Sequence, residues 1–230
     1  MLQGIRTTMP GQELLQDFCR ARKAWGKRPV LADVRRVLKR HPKTTMMTCT
    51  RKAACELNDL VLASKFPRRA PLAVVPGDPE SNPANYAGAS LKAANKLKPP
   101  DAPIHKGMRV YITDNVHKEN DFCNGMLAYA GYYCQKSGGI RVRAQTDRRL
   151  MVYPWTSPHR PGSRAYYPIR PGYASTIMKF QGASLEHVTV WLDVPGIPGA
   201  AYTALSRVPT AKDYLLGGEL RDWHFAPACG

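Results

Sequence analysis

Tyr173-Ala174-Ser175-Thr176-Ile177-Met178-Lys179-Phe180-Gln181-Gly182 opens a stretch that continues through His187-Val188-Thr189-Val190-Trp191-Leu192-Asp193. It closes on Ala201-Tyr202-Thr203-Ala204-Leu205-Ser206-Arg207-Val208. The middle segment reads as a strand, with Val188, Val190 and Leu192 on one face by period-two alternation. Two polar clusters flank it, Thr176/Lys179/Gln181/Gly182 before and Ser206/Arg207 after. A polar turn, a buried strand and a helix ending in Ser-Arg can present phosphate-binding groups along one edge of an α/β sheet.

Upstream, residues 126–170 hold short alternating runs of Tyr, Val and Arg cut by Gly138-Gly139, Pro154, Pro158 and Pro161, which predicts several short antiparallel strands. Arginines (Arg141, Arg143, Arg148, Arg149, Arg160, Arg164, Arg170) stand among Tyr153, Trp155, Tyr166 and Tyr167. That interleaving suits single-stranded nucleic acid, because cations meet phosphates and rings stack on bases. The same residues also suit a small barrel with an aromatic core and a wet, basic face. Before them, Lys106 to Asn115 alternates as a half-buried strand, with Val110 and Ile112 opposed to Arg109, Tyr111 and Thr113. Asn124-Gly125 is an ordinary hairpin-turn signal.

Residues 67–103 carry eight prolines and few large apolar side chains, the composition of an extended surface insertion. Thr44 to Thr50 is β-rich. Arg51 to Phe66 reads as a helix with Ala54, Leu57, Val61 and Leu62 inward, so strand, turn and helix make one α/β unit. Thr50 and Arg51 fall where such a turn exposes groups to a nucleic-acid backbone; an N-cap by Thr48 or Thr50 explains the same residues without function. Residues 1–43 read as helical and basic, one face marked by Leu14, Leu15 and Phe18 and another by Leu31, Val34, Val37 and Leu38. Ten Lys and Arg against the single acid Asp33 lie between Arg20 and Lys43. Such a run is either a solvated helix face or a phosphate-tracking surface.

Over all 230 residues, 34 Lys and Arg face 17 acids, a formal charge of +17. The partner class this implies is an acidic polymer, with nucleic acid foremost. Six cysteines show no Cys-x-x-Cys pair and no His at zinc spacing, so free thiols in a reducing compartment and no metal site are expected. No apolar run is long enough to span a bilayer, so no membrane partner is expected.

The opening stretch resembles motifs V and VI of superfamily-one DNA helicases of the PIF and RecD branch. Their motif V reads roughly Tyr-Ala-x-Thr-Ile-His-Lys-Ser-Gln-Gly-x-Thr and their motif VI Tyr-Val-Ala-Leu-Ser-Arg. Tyr173, Ala174, Thr176, Ile177, Lys179, Gln181 and Gly182 match the first; Tyr202, Ala204, Leu205, Ser206 and Arg207 match the second. The chain departs at Met178, where the family usually has His, and at Phe180, where it often has Ser. Arg6 is similar in placement to the motif IV arginine. Lys106-Gly107, Val110, Asn115 and Asn124-Gly125 are similar to a family strand and turn.

The resemblance implies an α/β, RecA-like domain of the P-loop NTPase type with a small inserted β (SH3-like) subdomain. Residues 1–104 would begin the motor domain, with the proline-rich insertion at 67–103; residues 105–165 would be the inserted subdomain and 166–230 would complete the fold. Arg207 would be an arginine finger with Arg6 a second, Gln181 and Gly182 would lie toward the nucleotide, and Thr176 and Lys179 would couple that site to DNA. Thr50, Arg51 and Asn115 would be further strand contacts. A helix cap at Thr176 and a helix C′ residue at Gly182 are the structural alternatives. No Gly-x-x-x-x-Gly-Lys-Ser/Thr occurs. The resemblance therefore implies ATP and Mg2+ only together with a separate first RecA-like domain, and single-stranded DNA or RNA as the other partner. An intracellular place is implied: nucleus or mitochondrion in a eukaryote, otherwise cytoplasm. Two functions follow as expectations, the C-terminal motor half of a 5′ to 3′ helicase that is inactive alone, or a helicase-derived binding subunit that has lost catalysis.

Overall fold

A computed structural model describes residues 4–77, 100–115, 117, 119, 122–154, 165–210 and 212–227. The chain begins one unit, leaves it after Lys65 to build a second, whose described residues lie within 66–77 and 100–172, and returns at Tyr173 to finish the first.

Its first passage runs α1 (Gly4–Thr7), α2 (Gln12–Ala21), β1 (Lys23–Trp25), α3 (Leu31–Arg40), β2 (Thr45–Thr48) and α4 (Arg51–Lys65). The side chains of Leu14, Leu15 and Phe18, expected inward on α2, lie outside those described. Strand β1 interrupts a region that reads as helical throughout. Three residues are too few for period two to register, and Ala24 and Trp25 are there because the sheet buries them, not through local pattern. Helix α3 buries Val34, Val37 and Leu38 as expected. Its first turn is closed by the Val30 N–H, which donates to the Asp33 carboxylate at 3.3 Å, and Lys39 and Arg40 complement its C-terminal dipole. Helix α4 buries Ala54, Leu57, Val61 and Leu62, also as expected.

The second unit holds β3 (Ala73–Val75), β4 (Ala102–Ile104), β5 (Arg109–Ile112), β6 (Leu127–Cys134), β7 (Gly139–Ala144), β8 (Arg149–Val152) and β9 (Ile169–Pro171). The last five form an antiparallel sheet in the order β8-β7-β6-β5-β9. Strands β3 and β4 pair antiparallel, Ala73 opposite Ile104. The two ends of the proline-rich segment are thus ordered, because Val75 and Ile104 supply buried apolar surface that its composition conceals. Residues 78–99 lie outside the described residues. With β3, β4 and β9 included, this unit is wider than the stretch 105–165.

Arg109 is not on a wet face. It is buried, its Nε donating to the Gly172 carbonyl at 2.7 Å while the Gly172 N–H donates to the Arg109 carbonyl at 2.8 Å. Glycine is required at 172: a Cβ there would stand 2.9 Å from the Val110 carbonyl carbon.

The return passage gives β10 (Ala174–Thr176), a 3-10 turn (Ile177–Phe180), β11 (Val188–Trp191), α5 (Ala200–Leu205), β12 (Tyr214–Gly217) and a second 3-10 turn (Asp222–Phe225). Five parallel strands then stand in the order β1-β12-β11-β2-β10. All four residues of β11 are buried, Thr189 included, so alternation in polarity does not become alternation in exposure. That is the expected state of a parallel strand covered on both faces.

At the start of β2 and β11 the buried polar groups close on one another. The His187 Nδ1 lies 2.8 Å from the Thr44 hydroxyl, which lies 3.0 Å from that of Thr189, and the His187 ring stacks on His41 with centroids 3.8 Å apart. Burial first, then the neighbouring His41 and Arg40, lowers the His187 pKa to about 4, against the partial relief of Asp213. Burial likewise lowers that of His41. The unfolded chain therefore takes up a proton near pH 6.5 that the folded chain refuses until about pH 4. Stability is expected to hold above pH 6.5 and to fall by about 3 kcal/mol as the pH drops through that window. Urea unfolding at several pH values, wild type against His187→Asn, checks this; equal pH profiles for the two would contradict it.

Candidate functional site

Parallel pairing aligns Thr176 with Thr48 and Trp191 with Thr48, so the segments following β10, β2 and β11 all leave the same edge of the sheet. From β2 come Cys49, Thr50 and Arg51; from β10, the turn carrying Lys179, Gln181 and Gly182; from β11, Asp193.

Asp193 organises this edge. Its carboxylate accepts from the Cys49 N–H at 2.7 Å, the Thr50 N–H at 3.3 Å and the Thr50 hydroxyl at 2.5 Å. The Thr50 hydroxyl in turn accepts from the Ala53 N–H at 3.2 Å, and so caps α4. Burial pushes the Asp193 carboxyl upward despite these donors, and burial together with Asp193 pushes the Cys49 thiol to about 12, which leaves that thiol unreactive. Thr50 is buried and committed inward, whereas Arg51 is exposed in the first turn of α4. An acid two residues past a buried strand is the sequence signal that could have singled out Asp193.

On the β10 side, Thr176 stands at the N-cap position of the 3-10 turn, extended (φ −69°, ψ 148°) as such residues are, but its side chain makes no capping bond. Gly182 has φ +80° directly after the turn, the left-handed conformation of a C′ residue. Lys179 and Gln181 are exposed, the Gln181 amide reaching only the Met178 sulfur at 3.5 Å. Met178 points outward and Phe180 is buried.

Arg207 is brought to this turn by the backbone: the Leu185 N–H donates to the Arg207 carbonyl at 2.9 Å, and α5 packs on the 3-10 turn. Its Nε donates to the Thr203 carbonyl at 3.0 Å and an Nη to the Ser206 hydroxyl at 2.8 Å. A guanidinium has five N–H donors, so three are uncommitted among the described contacts. Arg6 reaches the same helix, its guanidinium carbon 5.8 Å from the centre of the Tyr202 ring. Arg207, Arg6, Gln181, Gly182, Thr176, Lys179 and Arg51 thus belong to one unit. Asn115 belongs to the other, where its side-chain oxygen accepts from the Asn124 N–H at 3.1 Å and fixes the turn before β6.

The basic and aromatic face expected over 126–170 is realised in part. Tyr129, Arg143 and Arg149 lie in one cross-strand row, with Arg143 over the Tyr129 ring; Trp155, Arg160 and Arg164 lie outside the described residues. Among the described residues there is no group of three metal-ligating side chains, and no helix is long and apolar enough to cross a membrane.

No family model matches the chain, and neither does any curated protein. Solved structures do. A structure of two coordinating Pif1 helicases on forked double-stranded DNA matches with a TM-score of 0.66 at 18% identity, over 98% of this chain and 47% of that one. Pif1 helicase from Candida albicans matches with 0.66 at 19% identity, over 98% and 54%. Pif1 helicase from Bacteroides in complex with ADP-AlF3 and single-stranded DNA matches with 0.63 at 19% identity, over 98% and 49%. The chain spans about half the length of these proteins. It has the mixed α/β, RecA-like fold of one half of a Pif1 helicase, consistent with the C-terminal half that motifs V and VI mark.

Proposed function

We propose that the chain is the C-terminal motor half of an ATP-dependent, PIF-like DNA helicase, moving 5′ to 3′ and inactive without a first RecA-like domain. The observation that carries this reading is the junction of Leu185 with Arg207, which sets an arginine with uncommitted donors beside the Gln181-Gly182 turn. Arginine suits the task because its planar fork stays charged and meets two phosphate oxygens at once. Arg207, with Arg6 of α1 as a second cation set against Tyr202 of α5, would stabilise charge developing on a transferring phosphoryl group. Bound with the other domain, ATP and Mg2+ would supply that group; the residues here fit its phosphate end only, since no carboxylate cluster among those described would hold the metal.

Gln181 and Gly182 face the nucleotide in this reading. Thr176, Lys179, Asn115 and Arg51, the last held in place by Thr50, contact the single strand. The antiparallel unit is the SH3-like insertion. What the nucleic acid gains from the chain is chiefly phosphate neutralisation, consistent with a charge of +17. Two cation–phosphate contacts, from Lys179 and Arg51, would give a log–log salt slope of about −1.4, so affinity for an oligonucleotide is expected to fall about sevenfold between about 50 and 200 mM salt.

ATP hydrolysis tests the reading: no turnover by the chain alone, and strand-stimulated turnover once it is joined to a matching first domain. Turnover that is no greater in the joined protein than in the first domain by itself would overturn it. A second reading, a helicase-derived binding subunit without catalysis, is favoured by one observation. Where the family has a histidine able to donate and accept hydrogen bonds, Met178 stands exposed with a thioether sulfur that accepts weakly and donates nothing. Salt-sensitive strand binding that ATP leaves unchanged in the joined protein is its signature.

A further inference from the structure

Away from Arg207, the first unit has a groove of about 630 Å³ that the motor reading does not use. One wall is α2, which presents Gln12, Gln16 and Arg20 at i, i+4 and i+8, a single helix face. Lys23 of β1 and Leu216 of β12 form the floor, and the segment from Gly218 to Trp223 forms the other wall. Its volume lies within the range of about 300 to 1,000 Å³ usual for small-ligand sites.

The side chains are complementary to a particular chemistry. Trp223 is 43% exposed, an unusual state for so large a ring, and the Arg221 guanidinium lies over it at 5.1 Å from the ring centre. Its own backbone is secured independently, because the Trp223 carbonyl accepts from the Gly196 N–H at 2.9 Å and its N–H donates to Asp222 at 2.9 Å. The ring is therefore held out by structure. Neither Arg20 nor Lys23 is ion-paired with any described residue; of the two carboxylates lining the groove, that of Asp222 already serves the Trp223 N–H and that of Glu219 is exposed to water. A planar ring, cations to one side and two carboxamides that can each donate and accept match a heterocyclic base linked to a phosphate.

We infer that this groove binds a nucleoside phosphate, the base stacked on Trp223 and read by Gln12 and Gln16, the phosphate held by Arg20 and Lys23. The same chemistry is offered by a free nucleotide and by one nucleotide of a single strand. The site lies apart from Arg207 in sequence and in residues, so it stands or falls without the motor reading.

The experiment titrates the intact chain with adenosine monophosphate, followed by calorimetry, and, separately, with a twelve-residue oligonucleotide, followed by anisotropy of the labelled strand. Binding weakened about tenfold or more in Trp223→Ala, restored in Trp223→Phe and weakened in Arg20→Gln with Lys23→Gln, supports the site. Loss for the mononucleotide assigns a free nucleotide, and loss for the oligonucleotide alone assigns a strand. Equal affinity of wild type and Trp223→Ala for both ligands, with circular dichroism unchanged, would overturn it, and would leave the hydrolysis test of Arg207 unaffected.

Discussion

Replacing Gly217 with alanine is expected to destabilise the parallel unit by about 3 kcal/mol, the high end for inserting one methyl into a packed core. A Cβ at 217 would lie 2.1 Å from Cε2 of Trp25 and 2.4 Å from both Cζ2 and Nε1, separations that no side chain tolerates. The indole cannot retreat. Trp25 is 2% exposed and stands edge-on to Trp191 with ring centres 6.4 Å apart. Gly217 pairs with Trp25 on β1 and with Trp191 on β11, so the strain falls on two strand junctions at once. Trp25→Phe shortens the bicyclic indole, removing the Nε1 and Cζ2 atoms that the new methyl would strike. The double variant should therefore lose less than the sum of the two single ones. Urea midpoints of the four proteins measure this, and a Gly217→Ala change below about 0.5 kcal/mol would contradict the packing described.

The elements that could be read from sequence are those whose own residues carry the pattern. Val34, Val37 and Leu38 announce α3, and Leu57, Val61 and Leu62 announce α4, because a helix long enough for two turns displays its period. Strand β1 could not be read: three residues between two basic helices show no alternation, and only pairing with β12 makes them a strand. Strands β3 and β4 were hidden by proline and alanine, although Val75 and Ile104 are fully buried. Arg109 misleads in the opposite direction, since a charged residue in an alternating strand reads as exposed and here is bonded to the Gly172 carbonyl.

For the site, motif spacing located Arg207, Gln181 and Gly182 but not the contact that joins them, because a bond from Leu185 to Arg207 has no local sequence signal. Arg6 is a single arginine some two hundred residues away, and only the fold takes it to Tyr202 on the same helix. Thr50 illustrates how a residue type can fit two roles: the threonine at a sheet edge is here a helix cap clamped by Asp193, and Arg51 beside it is the exposed group. Asp193 is not legible in the sequence, because an isolated acid carries little information without the three donors that the fold gathers around it.

Arg207→Ala should cost far more than any other single change at the edge of the sheet. An arginine that meets the transferring phosphoryl group contributes about a thousandfold or more to turnover. Removing it should lower kcat while leaving KM for ATP nearly unchanged, because the contact is made in the transition state and not in the ground state. Arg207→Lys keeps the charge but loses the fork, and should recover only part of the rate. The replacement leaves the Thr203 carbonyl its bond from the Ser206 hydroxyl at 3.1 Å and removes two donors at the half-buried end of a short helix, so folding should be little affected. The decisive measurement is kcat for strand-stimulated ATP hydrolysis by the chain joined to a first RecA-like domain, wild type against Arg207→Ala. A fall of about a thousandfold with stability retained is the expected result; a kcat within twofold of wild type would contradict the assignment of Arg207, and with it the motor reading.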